Sequence, residues 1–214
     1  LLVRNPALVV PGIIAAGISA FASVVIVSSD SASDAQIVIT HTFGLLVRIF
    51  ATVLAIAVTT GMADAAWRTA RGAFKDGLVA FRREGGQVFV AVIALLLLGI
   101  LAALAAPYTF EIPLGVYAYC CLYTMPSAVV GERPGLVAIG ESTKIAFMRP
   151  VATLVILAGV SALALAFGSG AQIVQMTPYV GSLLGSIVVQ AVIAYATLVL
   201  VGEYRIARRM ETLS

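Results

Sequence analysis

Along the chain, long apolar stretches alternate with shorter polar ones. Runs such as 90–98 are apolar at every position, so the two-residue alternation of a membrane β-strand is missing. A hydrocarbon core about 30 Å thick asks for roughly 20 mainly apolar residues per spanning helix. Six segments meet that demand: residues 7–28, 43–62, 87–106, 112–130, 151–167 and 180–201. Interruptions are few. Pro11 and Gly12 lie in the first segment, Arg48 in the second and Pro126 late in the fourth. Prolines there kink or shorten a helix, while Pro150 suits the first turn of the short fifth span. The pattern predicts an all-α polytopic membrane protein of six transmembrane helices, with residues 1–214 forming a single integral membrane domain.

Composition agrees. Of 214 residues 61% are hydrophobic and 11% charged, with a mean hydropathy of +1.08. A soluble domain is about 45–50% apolar and about 25% charged, and a disordered chain is more polar still. The formal net charge of +3 disfavours a nucleic-acid-binding role.

Placing the charges orients the chain. Arg68, Arg71, Lys75, Arg82 and Arg83 lie between the second and third spans, and Arg133, Lys144 and Arg149 between the fourth and fifth. Arg205, Arg208 and Arg209 follow the sixth, and Arg4 precedes the first. Twelve of thirteen basic residues therefore share one side, and Arg48 is the thirteenth. The opposite loops carry Asp30, Asp34, His41 and Glu111. Basic loops stay in the cytoplasm during insertion, so both termini are expected there. The stretch 1–10 reads as the approach to a retained first span rather than a signal peptide, because Asn5-Pro6 interrupts it.

The segment 63–85 has Trp67, Phe74, Leu78 and Phe81 at helical spacing, with Arg68, Arg71, Lys75 and Arg82 on a neighbouring face. That is the pattern of an amphipathic helix in the cytoplasmic membrane interface, Trp at headgroup level and cations toward lipid phosphates. A basic loop with some helix, weakened by Gly72 and Gly77, fits as well. On the interfacial reading Trp67, Arg68, Arg71, Lys75, Arg82 and Arg83 are candidate contacts for anionic lipid headgroups. Residues 137–148 form a second, shorter interfacial candidate. Residues 73–77 and 138–142 also align, as chance or an internal duplication would make them.

Catalytic and metal-binding patterns are scarce. His41 stands alone between Thr40 and Thr42 and reads as a polar loop residue. The adjacent Cys120 and Cys121 lie inside a span without C-x-x-C spacing and read as small packing residues. Residues 135–142 imitate a phosphate-binding loop, but Glu141 stands where lysine should meet the phosphates, and no strand precedes it. No catalytic residue, metal site or cofactor is expected. Arg48, about five residues inside its span, either snorkels toward the interface or pairs with Glu111 at the start of the fourth span. Gln190, Thr59, Thr60 and Thr124 suit hydrogen bonds between helices, and Gly12/Ala16 and Gly181/Gly185 suit close approach. Tyr117, Tyr119 and Tyr123 read as packing residues.

Arg4-Asn5-Pro6-Ala7-Leu8 leads into the first span. Val129-Val130-Gly131-Glu132-Arg133-Pro134-Gly135 is followed by Ala138-Ile139 and Glu141-Ser142, and Tyr204-Arg205 leads into the basic tail. In these features the chain resembles the six-helix membrane domain attached to some bacterial glycerophosphodiester phosphodiesterases, which also occurs alone. The resemblance implies a fold, a basic cytoplasmic face and a bacterial cytoplasmic (inner) membrane location. It implies no activity, since the catalytic barrel of those enzymes has no counterpart here.

Two functions are in view. One is a non-catalytic membrane scaffold or accessory subunit that binds anionic lipid headgroups and packs against a membrane-protein partner or a second copy of itself. The other is a carrier or permease for a lipid or small molecule, with a polar site near Arg48 and Glu111. The first is favoured because a coupled transporter keeps ionisable groups near the midplane, whereas Arg48 lies toward one end.

Overall fold

A proline opens the first element, a single 3-10 turn over Pro6–Val9 that runs into α1 (Val10–Val27). The computed structural model describes residues 5–27, 34–109, 111–174 and 180–212, leaving aside the side chains at 20, 22–27, 34–39, 41, 45, 48, 164–174 and 180–188. After α1 come α2 (Asp34–Thr69), α3 (Phe74–Ala105), α4 (Ile112–Cys121) and α5 (Thr124–Val129). Then follow α6 (Gly135–Met148), α7 (Pro150–Val174) and α8 (Val180–Glu211). Every regular element among the described residues is helical.

Four helical stretches are long and apolar enough to cross a membrane: Thr42–Thr69, Phe74–Tyr108, Ile112–Val129 and Val189–Glu211. A fifth is reached if α6 and the apolar start of α7, bent by 106°, count as one span. The described apolar part of the first predicted span, Pro6–Ser19, is shorter.

Three of the differences between the helix boundaries and the predicted spans have a local reason. The stretch 63–85 is two helix ends joined by a short turn rather than one helix. Residues up to Thr69 complete α2, and α3 starts at Phe74. Ala70 turns the chain with φ 61°, and Gly72 sits so close to α2 that a Cβ there would lie 2.4 Å from the Met62 carbonyl oxygen. Asp76 then caps α3, its Oδ2 accepting the Ala73 N–H at 3.0 Å. Second, α2 extends back to Asp34, so the backbone of His41 is helical rather than part of a loop. Third, the predicted fourth span breaks between α4 and α5. Pro126 has no N–H to offer the Leu122 carbonyl. Ser142 bridges the break, its hydroxyl accepting the Tyr123 N–H at 3.0 Å and donating to the Cys120 carbonyl at 2.6 Å.

α2 is the central helix, packing against α1, α3, α5 and α8. Its buried contacts are small: Ala15 of α1 meets Ala51 and Ala55, while Ala57 meets Ala91 and Ala128. Leu8, Val58, Met62, Ala63 and Ala66 pack with Ala194, Leu198 and Val201 of α8. Small residues let helix backbones approach where lipid gives no hydrophobic drive to associate. Among the described residues, the larger buried clusters lie toward the basic end of the helices. One face of the far half of α3 is uncovered, with Leu97, Ile100, Leu101 and Leu104 exposed.

Asn5 ties the chain's start to the α2–α3 turn. Its Oδ1 accepts the Gly72 N–H at 2.8 Å, and its Nδ2 donates to the Ala70 carbonyl at 3.2 Å. Asn5→Ala should leave the buried Gly72 N–H without that partner and cost about 2 kcal/mol. Thermal unfolding in detergent checks this; Asn5→Asp, which keeps the acceptor, should lose less.

Candidate functional site: the charged end of the bundle

The α2–α3 turn, the α5–α6 connection and the last turns of α8 meet at one end. Their polar side chains form two centres around buried carboxylates. Asp64 on α2 has a side chain only 5% exposed; it pairs with Arg68 one turn on and with Arg205 of α8 at 3.0 Å. Arg205 also donates to the Asp64 backbone carbonyl at 3.2 Å. Glu141 on α6 is the second centre. It accepts from Arg133 Nε at 2.6 Å, Arg208 at 3.2 Å and the Tyr204 hydroxyl at 2.7 Å.

Further pairs surround them. Arg83 bridges its neighbour Glu84 and Glu132 of the α5–α6 connection. Arg149 and Glu203 stand 2.8 Å apart as an ion pair without hydrogen-bond alignment. Lys144 of α6 reaches Glu211, and this hydrogen bond and positive charge hold the Glu211 carboxyl below its ordinary range. Close packing holds the frame. A Cβ at Gly202 would lie 2.6 Å from the Trp67 ring, and one at Gly131 would collide with the Tyr204 hydroxyl.

Several of the residues that carried the family likeness thus make contacts between segments. Asn5, Glu132, Arg133, Glu141, Ser142, Tyr204 and Arg205 all hold chain segments together at this end. Glu141, the residue that spoils the phosphate-loop pattern, is a structural anchor.

The candidate headgroup contacts are dispersed. Trp67 faces α8, its indole N–H donating to the Leu198 carbonyl at 2.8 Å. Arg68 and Arg83 are engaged with carboxylates. Arg71, Lys75 and Arg82 are exposed. What the sequence reading missed is the acidic half of the network, because Asp64, Glu84, Glu132 and Glu141 lie among the arginines counted for orientation.

Two hollows open here. One, about 350 Å³, lies between α2 and α3 and is lined by Asp64, Arg68, Thr69, Asp76 and Arg83. The other, about 270 Å³, lies between α2 and α8 and shares Asp64, Arg68 and Val130 with it. No group of three or more possible metal ligands occurs among the described residues. Cys120 and Cys121 are free thiols, partly buried. The tyrosine hydroxyls make packing bonds: Tyr117 to the Leu95 carbonyl, Tyr119 to the Ala146 carbonyl, and Tyr123 with Thr153.

Glu111 is exposed at the start of α4 with φ 60°. Asp30 and the side chains of Asp34, His41 and Arg48 lie outside the described residues, so the Arg48–Glu111 pair does too. The side-chain surroundings of Gly181 and Gly185 also lie outside them. Gly12 does mark a close approach, toward Gln190 of α8, within the chain itself. The aligned stretches 73–77 and 138–142 hold different positions, a helix start and a helix middle.

Comparison of the chain with protein-family models, with curated proteins and with solved structures finds no match.

Proposed function

We propose that this chain is a non-catalytic integral membrane scaffold or accessory subunit, crossing the bacterial cytoplasmic membrane six times with both termini inside. The observation that carries the reading is how its side chains are divided. Most of the charge at the basic end is engaged between helices, on Asp64, Glu132, Glu141, Glu203 and Glu211. The apolar faces of α3, α4 and α7 remain uncovered, with Leu101, Leu104, Val116, Val151 and Val155 exposed. Such faces suit lipid or a neighbouring transmembrane helix. α6 fits a position along the membrane surface: Gly135, Ala138, Ser142 and Ile145 face inward, while Leu136, Val137, Phe147 and Met148 face out.

Two measurements test this. Cysteines placed singly at 71, 144 and 209 of a chain lacking Cys120 and Cys121 should label only from the cytoplasmic side. Extraction in mild detergent should retain a membrane-protein partner or second copy in fixed stoichiometry, reproduced when that partner carries the tag. Substrate-dependent flux in proteoliposomes containing the chain alone would instead make it a carrier.

A further inference from the structure

We propose that the cleft between the charged ends of α2 and α8 binds one phosphate-bearing anion, the headgroup of an anionic phospholipid. This rests on the membrane reading above and narrows its basic surface to one site. The cleft is lined by Arg68, Arg205, Arg208 and Arg209, against Asp64 and Glu132. Counting Glu141, which holds Arg208, four cations face three carboxylates, an excess of one positive charge that suits the single charge of a phosphodiester. A guanidinium carries five N–H donors in a planar fork that matches phosphate oxygens in pairs.

Three of the four arginines are held in place before any ligand arrives. Arg68 and Arg205 share Asp64, and Arg208 is held by Glu141. Each ion pair uses only part of the guanidinium's donors, and Arg209 makes no ion pair among the described residues. Fixing the cations beforehand removes much of the ordering cost of binding. A volume of about 270 Å³ suits a headgroup rather than a whole lipid.

Depth favours a lipid over a free anion. Arg68 lies six residues beyond the predicted span end at Met62, and Arg205 lies four beyond Val201. At about 1.5 Å per helical residue, both stand roughly 6–9 Å outside the hydrocarbon. That is the layer occupied by lipid phosphates.

The test uses the full chain in detergent and native mass spectrometry with added phosphatidylglycerol, phosphatidylcholine or inorganic phosphate. The wild type should retain one phosphatidylglycerol per chain in preference to phosphatidylcholine. Retention should weaken about fivefold in Arg209→Gln and more than tenfold in Arg68→Gln/Arg209→Gln. Arg209 is exposed and lies outside the ion pairs, so its variant should fold. Inorganic phosphate binding with the same variant dependence, without lipid preference, would keep the site and make its ligand a free anion. Unchanged retention in both variants overturns the site. If Lys75→Gln/Arg82→Gln then weakens retention, the broader basic surface stands without the cleft. If no anionic lipid is held by any form, lipid binding falls altogether.

Discussion

Glu141→Ala should destabilise the chain by about 3 kcal/mol, lowering its unfolding temperature in detergent by several degrees. Glu141 is the acceptor for three donors from two other segments. Their fates differ once it is removed. Arg133 and Arg208 have side chains 44% and 37% exposed, so both can turn to water, and their share is modest. Tyr204 is 2% exposed, and its hydroxyl loses the carboxylate it donates to. Most of the loss should therefore follow the tyrosine. Glu141→Gln keeps an acceptor for that hydroxyl and should cost about half as much. Tyr204→Phe in the Glu141→Ala background should recover part of the stability, because it removes the orphaned group. Equal losses in Glu141→Gln and Glu141→Ala would place the energy in the charges instead. Added salt would then weaken the wild type, which the hydroxyl-centred account does not expect.

The helical fold was legible because apolar length is a strong signal. Runs such as 87–106 leave helix as the natural way to satisfy the backbone in lipid. Pro150 marked the start of α7 correctly for the same kind of local reason: it lacks the N–H that a first turn does not use. Breaks inside apolar runs were harder to read. Pro126 announced a disturbance, but the break lies at Leu122–Tyr123, where Ser142 reaches in from α6, twenty residues along the chain. The α2–α3 turn depends on Asn5, more than sixty residues away, and its amphipathic spacing imitates an interfacial helix. Local spacing likewise could not reveal that Trp67 packs against Gly202 on the facing helix. The carboxylate partners at the charged end went unread for a related reason. Counting cations orients a membrane protein well, since insertion responds mainly to Lys and Arg. The same count says nothing of which carboxylates hold them once the helices pack. Asp64 and Glu141 become centres only when α8 brings Arg205 and Arg208 alongside them.

The crossing of α2 and α3 should be the least forgiving point in the chain. A Cβ added at Gly77 would lie 2.3 Å from the Val58 carbonyl oxygen, and 2.7 Å and 2.8 Å from Met62 and Val58 side-chain carbons. Moving the side chains would not relieve the first clash, because it is with backbone. A Cβ added at Gly61, on the facing side of the crossing, would likewise lie 3.1 Å from Gly77 Cα, so the two backbones approach closely here and leave little room for either helix to yield. Gly77→Ala should therefore cost roughly 3 kcal/mol, at the upper end for overpacking, even though alanine is the better helix former. Gly86, farther along α3, has nothing within 4 Å of an added Cβ. Gly86→Ala should stabilise by about 0.5–1 kcal/mol through helix propensity alone. Opposite signs from one substitution on one helix separate crowding from propensity. If both variants stabilise, the helices do not cross at Gly61 and Gly77, and the turn tied by Asn5 must be held some other way.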